Sequence, residues 1–234
     1  GAKNECLDRA SQKAQAYEDL IHWIVRGLVD LDCKSPDFWK LYDCRKALLS
    51  QMEVSDDEVL DYCRYIKCKK RDALYYLTDS HRLEKELILE CIADYSGSFS
   101  YGELRSVLQH VYPDLYAYLM PYKFNAALLN QYFENYKFCK LENRITPEFY
   151  SLVEEQAVKR EYNLLLPARS EKIESVDMSG AFAYFIDAMG VEFLGYISEK
   201  SKQKKLLPKI TVCRSELPSI TSRNKEFLDV FAEH

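Results

Sequence analysis

The sequence predicts a mainly helical protein: an all-α region over the first two-thirds of the chain, then a short α/β stretch. Three observations carry this. Apolar residues recur at helical spacing from Leu7 to about Leu141. Only 7 Gly and 7 Pro occur in 234 residues, as expected of long helices and few tight turns. Beyond Phe182 the texture changes, with aromatic and β-branched runs at 182–186 and 209–213 that favour strands.

In chain order, Leu7, Ala10, Ala14, Tyr17, Ile24, Leu28 and Leu31 mark a helical stretch over 5–31. Ser35-Pro36-Asp37 supplies an N-cap, a first-turn proline and an acid suited to the helix dipole. A helix through Trp39, Leu41, Leu48 and Leu49 should begin there. Ser55-Asp56-Asp57-Glu58 is a second start signal, leading to Val59, Tyr62 and Ile66. A longer helical pattern covers 73–95. Ser96-Gly97-Ser98 breaks it, and Ser100-Tyr101-Gly102-Glu103 has the form of a capping box. Pro113 starts a short helix, 125–141 forms another, and Thr146-Pro147-Glu148 opens one that reaches about Arg160. The polar, proline-containing stretch 162–181 reads as a linker. It separates an all-α domain at 1–161 from an α/β piece at 182–234.

Composition bounds the function. The chain is 47% hydrophobic and 29% charged, the balance of a folded globular protein. A net charge of −5 argues against direct nucleic-acid binding, although it leaves room for a local basic patch. No apolar run is long enough to span a bilayer, so a cytoplasmic protein with no membrane partner is expected. The 8 Cys include no Cys-x-x-Cys, and the closest pair is Cys63 with Cys68; scattered, reduced and mostly buried thiols are expected rather than a zinc site. His22, His81 and His110 are isolated on helical stretches. Lys67-Cys68-Lys69-Lys70-Arg71 is the sharpest basic cluster, read as a solvated helix end. Tyr75-Tyr76 reads as core packing rather than as a base-stacking platform.

The chemistry concentrates near the far end, at Phe185-Ile186-Asp187-Ala188-Met189-Gly190-Val191-Glu192. A short strand would stop on Asp187, where open α/β sheets place their ligands. Gly190 would then let the backbone turn tightly or come close to a bound group before a helix from Val191. A second strand over 209–213 leads to Leu217-Pro218-Ser219-Ile220-Thr221, with a hydroxyl at a helix start. By itself, Thr221 is equally suited to capping that helix, and Asp187 to capping the earlier one.

These two motifs, in order and joined by a strand-helix-strand pattern, resemble the PglZ proteins of bacterial BREX phage-resistance systems. Those proteins belong to the alkaline-phosphatase-like superfamily. The resemblance covers about 55 residues closely. It implies that 182–234 is the first βαβ part of an alkaline-phosphatase-like domain. It also implies that Asp187 is a metal ligand, Thr221 the nucleophilic and metal-facing hydroxyl, and Asn224 a phosphate contact. The implied cofactor is a divalent ion (Zn, Mn or Mg) in a full-length parent. The implied partners are a phosphoester substrate and other proteins of the defence system. The family builds its two-metal site from further Asp and His residues well downstream, where only Asp229 and His234 stand here. The chain therefore reads as the front end of a larger metal-dependent phosphatase or phosphodiesterase, holding no tightly bound metal and inactive alone. The alternative is a non-catalytic helical interaction module of a defence complex.

Overall fold

A computed structural model describes residues 3–177, 179–180, 182, 184–186, 189–215, 220 and 223–225. The protein is mainly helical, and it divides into two compact units: residues up to 116 with 141–143, and residues 117–140 with 144 onward. The linker read from sequence at 162–181 falls within the second unit.

In the first unit, α1 (Glu5–Lys13) is capped by Asn4, whose side-chain oxygen accepts the Leu7 N–H at 3.1 Å. The helical stretch expected over 5–31 is interrupted here. Ala14 and Ala16 are extended, and the Asp19 carboxylate takes the Gln15 N–H at 3.3 Å, which diverts it from a helical partner. α2 (Tyr17–Val25) follows, then tight turns to Cys33. α3 (Phe38–Leu49) starts later than its Ser35-Pro36-Asp37 signal. The Ser35 carbonyl accepts the Phe38 N–H in a turn, and Asp37 makes no side-chain cap. α4 (Asp56–Lys67) begins where expected: Ser55 Oγ accepts the Glu58 N–H, and three acids fill the first turn.

The helix expected over 73–95 is two elements. A 3-10 helix, Lys70–Tyr76, is followed by an irregular stretch at 77–81 and then α5 (Arg82–Asp94). α6 (Tyr101–Val111) has the expected capping box. Ser100 Oγ accepts the Glu103 N–H at 3.2 Å, and the Ser100 N–H bonds back to the Glu103 carboxylate. The core gathers around the 3-10 segment, which packs on α4, α5 and α6, while α1, α2 and α3 pack on one another. Phe38, Leu41, Tyr42, Tyr62, Ile66, Leu74 and Ile88 are fully buried in it.

The division between the units falls within α7 (Pro113–Leu119). The second unit continues with α8 (Ala127–Leu141) and α9 (Pro147–Lys159), the latter capped by Thr146 through the Phe149 N–H at 3.2 Å. Arg160 takes a left-handed conformation (φ 50°) that ends α9 and turns the chain into α10 (Glu161–Leu165). α11 (Arg169–Ile173), a 3-10 turn at Val191–Phe193 and α12 (Leu194–Gln203) follow among the described residues. Tyr132 and Tyr136 pack on Phe149 with ring centroids 5.3 and 6.0 Å away.

Neither expected strand forms among the described residues. Phe182 and Tyr184 are almost fully exposed, and the described part of 209–213 lies in no ladder. The β pairing that is present among the described residues is a single parallel bridge. The Arg169 N–H donates to the Arg214 carbonyl at 3.1 Å, and the Arg214 N–H to the Pro167 carbonyl at 3.0 Å. Strands need partners and a covered face, and here the end of the second stretch bonds to the 162–181 segment instead.

Candidate functional site

Asp187 and Thr221, the expected metal ligand and hydroxyl, lie outside the described residues. Asn224 lies within them and is buried; its side-chain amide donates to the Ile220 carbonyl at 3.0 Å, a contact within its own turn. Gly190 is extended, so no tight turn forms at it, and what approaches it is a side chain of its own chain. The Glu192 carboxylate folds back over it, where a Cβ would overlap, and pairs with Lys140 at 3.4 Å.

The other titratable candidates are occupied in structural work. His22 Nδ1 lies 2.9 Å from Glu58, His81 Nδ1 accepts the Leu83 N–H at the start of α5, and His110 stacks on Trp39 at 4.2 Å. Among the described residues no group of three or more His, Cys, Asp or Glu side chains is placed to hold a metal ion. All eight cysteines are free, and five of them are buried. Burial pushes the Cys6 and Cys91 thiols up to about 11 and Cys63 to about 12, so they are poor nucleophiles and poor metal ligands. Three of the four basic side chains in the 67–71 cluster are engaged within the fold. Lys67 pairs with Glu90 at 2.5 Å, Lys69 lies 4.4 Å over the Tyr76 ring, and Arg71 donates to Glu103 and to the Ser98 carbonyl at 3.0 Å.

The most developed polar constellation is one that the sequence reading missed. Arg45, fully buried on α3, donates Nε to the Val25 carbonyl at 2.8 Å and Nη1 to the Tyr76 carbonyl at 3.3 Å. Its Nη2 meets Glu84 Oε1 at 3.4 Å, and its guanidinium lies 4.6 Å over the Tyr62 ring. Glu84 is 1% exposed, and its other oxygen accepts the Thr78 N–H at 2.6 Å. The Tyr42 hydroxyl donates to the Leu77 carbonyl and the Tyr62 hydroxyl to the Tyr76 carbonyl, each at 2.6 Å. Burial pushes both phenols up, so they stay protonated donors. Apart from the bond to the Val25 carbonyl, these contacts end on the stretch 76–78 or on the pair itself. The cluster thus replaces the helical bonds that the backbone gives up between the 3-10 helix and α5. A charge pair this deep meets no solvent and no ligand; its role is architectural. The available signal was register: Arg45 shares the buried face of Phe38, Leu41, Tyr42 and Leu49, where an arginine is out of place unless paired.

The second unit differs in what it exposes. Among the described residues, the large apolar side chains left in solvent number five in the first unit and fifteen between Ile145 and Ile220 in the second. Val158 is 83% exposed and Leu164 79%, both on helices.

A family model described as a domain of unknown function, DUF7863, matches residues 1–95, which is less than half of the chain. The matched stretch spans α1 to α5 and contains both Arg45 and Glu84. No curated protein and no solved structure matches the chain.

Proposed function

We propose that this chain is a non-catalytic helical interaction module, in which the first unit is the scaffold and the second carries the docking surface. The observation behind this reading is the set of exposed apolar side chains between Ile145 and Ile220. Water exacts a free-energy penalty of about 25 cal/mol for each Å² of such surface, and a protein partner removes it. The partners suggested by the motifs at 185–192 and 217–221 are other proteins of a phage-defence complex in the cytoplasm. The test is site-specific photocrosslinking in the native cell, with a photoreactive residue at Val158 or Leu164 and a control at Leu89 of the first unit. Crosslinks to one defined polypeptide from the first two positions and none from Leu89 support the reading. Equal crosslinking from all three, or none from any, removes it.

The same two motifs favour a second reading, the front end of a PglZ-like metal-dependent phosphatase or phosphodiesterase. In it 182–234 would join further strands to build an α/β unit, which would cover Phe182, Tyr184 and Ile186. Asp187 and Thr221 would meet on one divalent ion, and Asn224 would face the phosphate. Such a site needs enough ligands to clamp both attacking and leaving oxygens. Calorimetric titration with Mn²⁺ of a longer chain that completes the α/β unit separates the readings: binding there that is lost in Asp187→Asn supports the second, and no binding there supports the first.

A further inference from the structure

The basic stretch around the end of α12 differs from the largely engaged cluster at 67–71. From Lys200 to Ser215 the chain carries Lys200, Lys202, Lys204, Lys205, Lys209 and Arg214 and no acid, within a protein of net charge −5. Lys200 and Lys202 lie in the last turn of α12, where they complement the helix C-terminus. Arg214 donates to the Asn163 and Leu166 carbonyls at 2.6 and 3.1 Å. Lys204, Lys205 and Lys209 have no such duty: all three are exposed, and among the described residues their ammonium groups form no ion pair or hydrogen bond. Between them stand Leu206 and Leu207, 61% and 98% exposed.

The turn that presents them is hydrogen-bonded. Lys205 takes the left-handed conformation (φ 59°), its N–H reaches the Lys202 carbonyl, and the Leu206 N–H reaches the Ser201 carbonyl at 2.8 Å. This closes α12 with the bonding pattern of a Schellman motif, which ordinarily puts glycine where Lys205 stands. The leucines are held out by hydrogen-bonded backbone.

We propose that this turn is a peripheral binding surface for anionic phospholipid bilayers. The lysines meet headgroup phosphates, and Leu206 and Leu207 enter the boundary with the acyl chains. A nucleic acid would use the lysines and leave both leucines in water; a lipid surface uses both. The expectation of no membrane partner rests on the lack of a spanning segment, and a surface-lying turn requires none.

The test is co-sedimentation of the full chain with phosphatidylcholine vesicles, with and without phosphatidylserine. Binding should require phosphatidylserine and weaken as salt is raised. Each lysine at such a surface contributes about fivefold, so Lys204→Ala with Lys205→Ala should weaken partition about 25-fold. Leu206→Ser with Leu207→Ser should abolish binding at physiological salt, with the helical circular dichroism unchanged because both side chains already lie in solvent. No binding at low salt, binding unaltered in both double variants, or equal binding to vesicles lacking phosphatidylserine overturns the proposal. So does tighter retention by double-stranded DNA or by polyglutamate than by the vesicles.

Discussion

Replacing Arg45 with methionine should be among the most damaging single changes in the first unit. The substitution removes three hydrogen bonds, to the Val25 and Tyr76 carbonyls and to Glu84, and the stacking over Tyr62. It leaves Glu84, 1% exposed, with the Thr78 N–H but without its cation. Stranding one member of a buried pair costs about 3–5 kcal/mol. For a chain of this length that lowers the melting temperature by about 10 °C. Circular dichroism melts and urea titrations read the loss directly. The double variant Arg45→Met with Glu84→Leu should be less destabilised than the sum of the singles by at least about 1 kcal/mol, because no charge is then stranded. A single variant within about 1 kcal/mol of the parent, or strict additivity, would refute the keystone role of this pair.

Three further predictions concern other parts of the molecule. Gly195 packs against the Met120 carbonyl so closely that a Cβ would overlap it, so Gly195→Ala should destabilise the second unit by about 1–3 kcal/mol; an unchanged urea midpoint would contradict that packing. For Glu103, burial raises the carboxyl, but the bonds from Arg71 and Tyr75 outweigh it and hold the group below its ordinary 4.5. Its contribution is therefore full above that value and lost as pH falls through the lower folded value. Glu103→Gln should weaken the protein at neutral pH, and the gap to the parent should close in acid; a gap constant with pH would contradict this. Among the thiols, Cys68 is exposed whereas Cys6, Cys33, Cys63, Cys91 and Cys139 are buried. A chromogenic disulfide should label Cys68 fast and these five after unfolding; prompt labelling of the five in the native protein would count against this core.

Local chemistry was legible, and long-range chemistry was not. Ser55, Ser100 and Thr146 announced their helices because a cap and its partner lie three residues apart, within one glance along the sequence. The breaks at 14–16 and 77–81 were hidden for different reasons. The first turns on a single Asp19 carboxylate bonding a loop N–H. The second is made by Tyr42, Tyr62, Arg45 and Glu84, which reach the 76–78 backbone from three separate helices. Apolar periodicity counts none of these bonds. The strands expected at 182–186 and 209–213 were read from residue types that suit a covered, pleated surface. Their described residues have no partner strand, and Phe182, Tyr184 and Ile186 have no cover either. Of the candidate site, Asp187 and Thr221 lie outside the described residues, and Asn224 bonds within its own turn. Arg45 was not singled out, because a charged residue on a buried face makes sense only once its partner 39 positions away is known.

Hydrolysis of a chromogenic phosphodiester by the full chain, with Mn²⁺ or Zn²⁺ and with Asp187→Ala as the control, tests the non-catalytic reading most directly. The account predicts no turnover above the metal-only background for either protein. Metal-dependent turnover by the parent that disappears in Asp187→Ala would contradict it and establish the chain as a hydrolase.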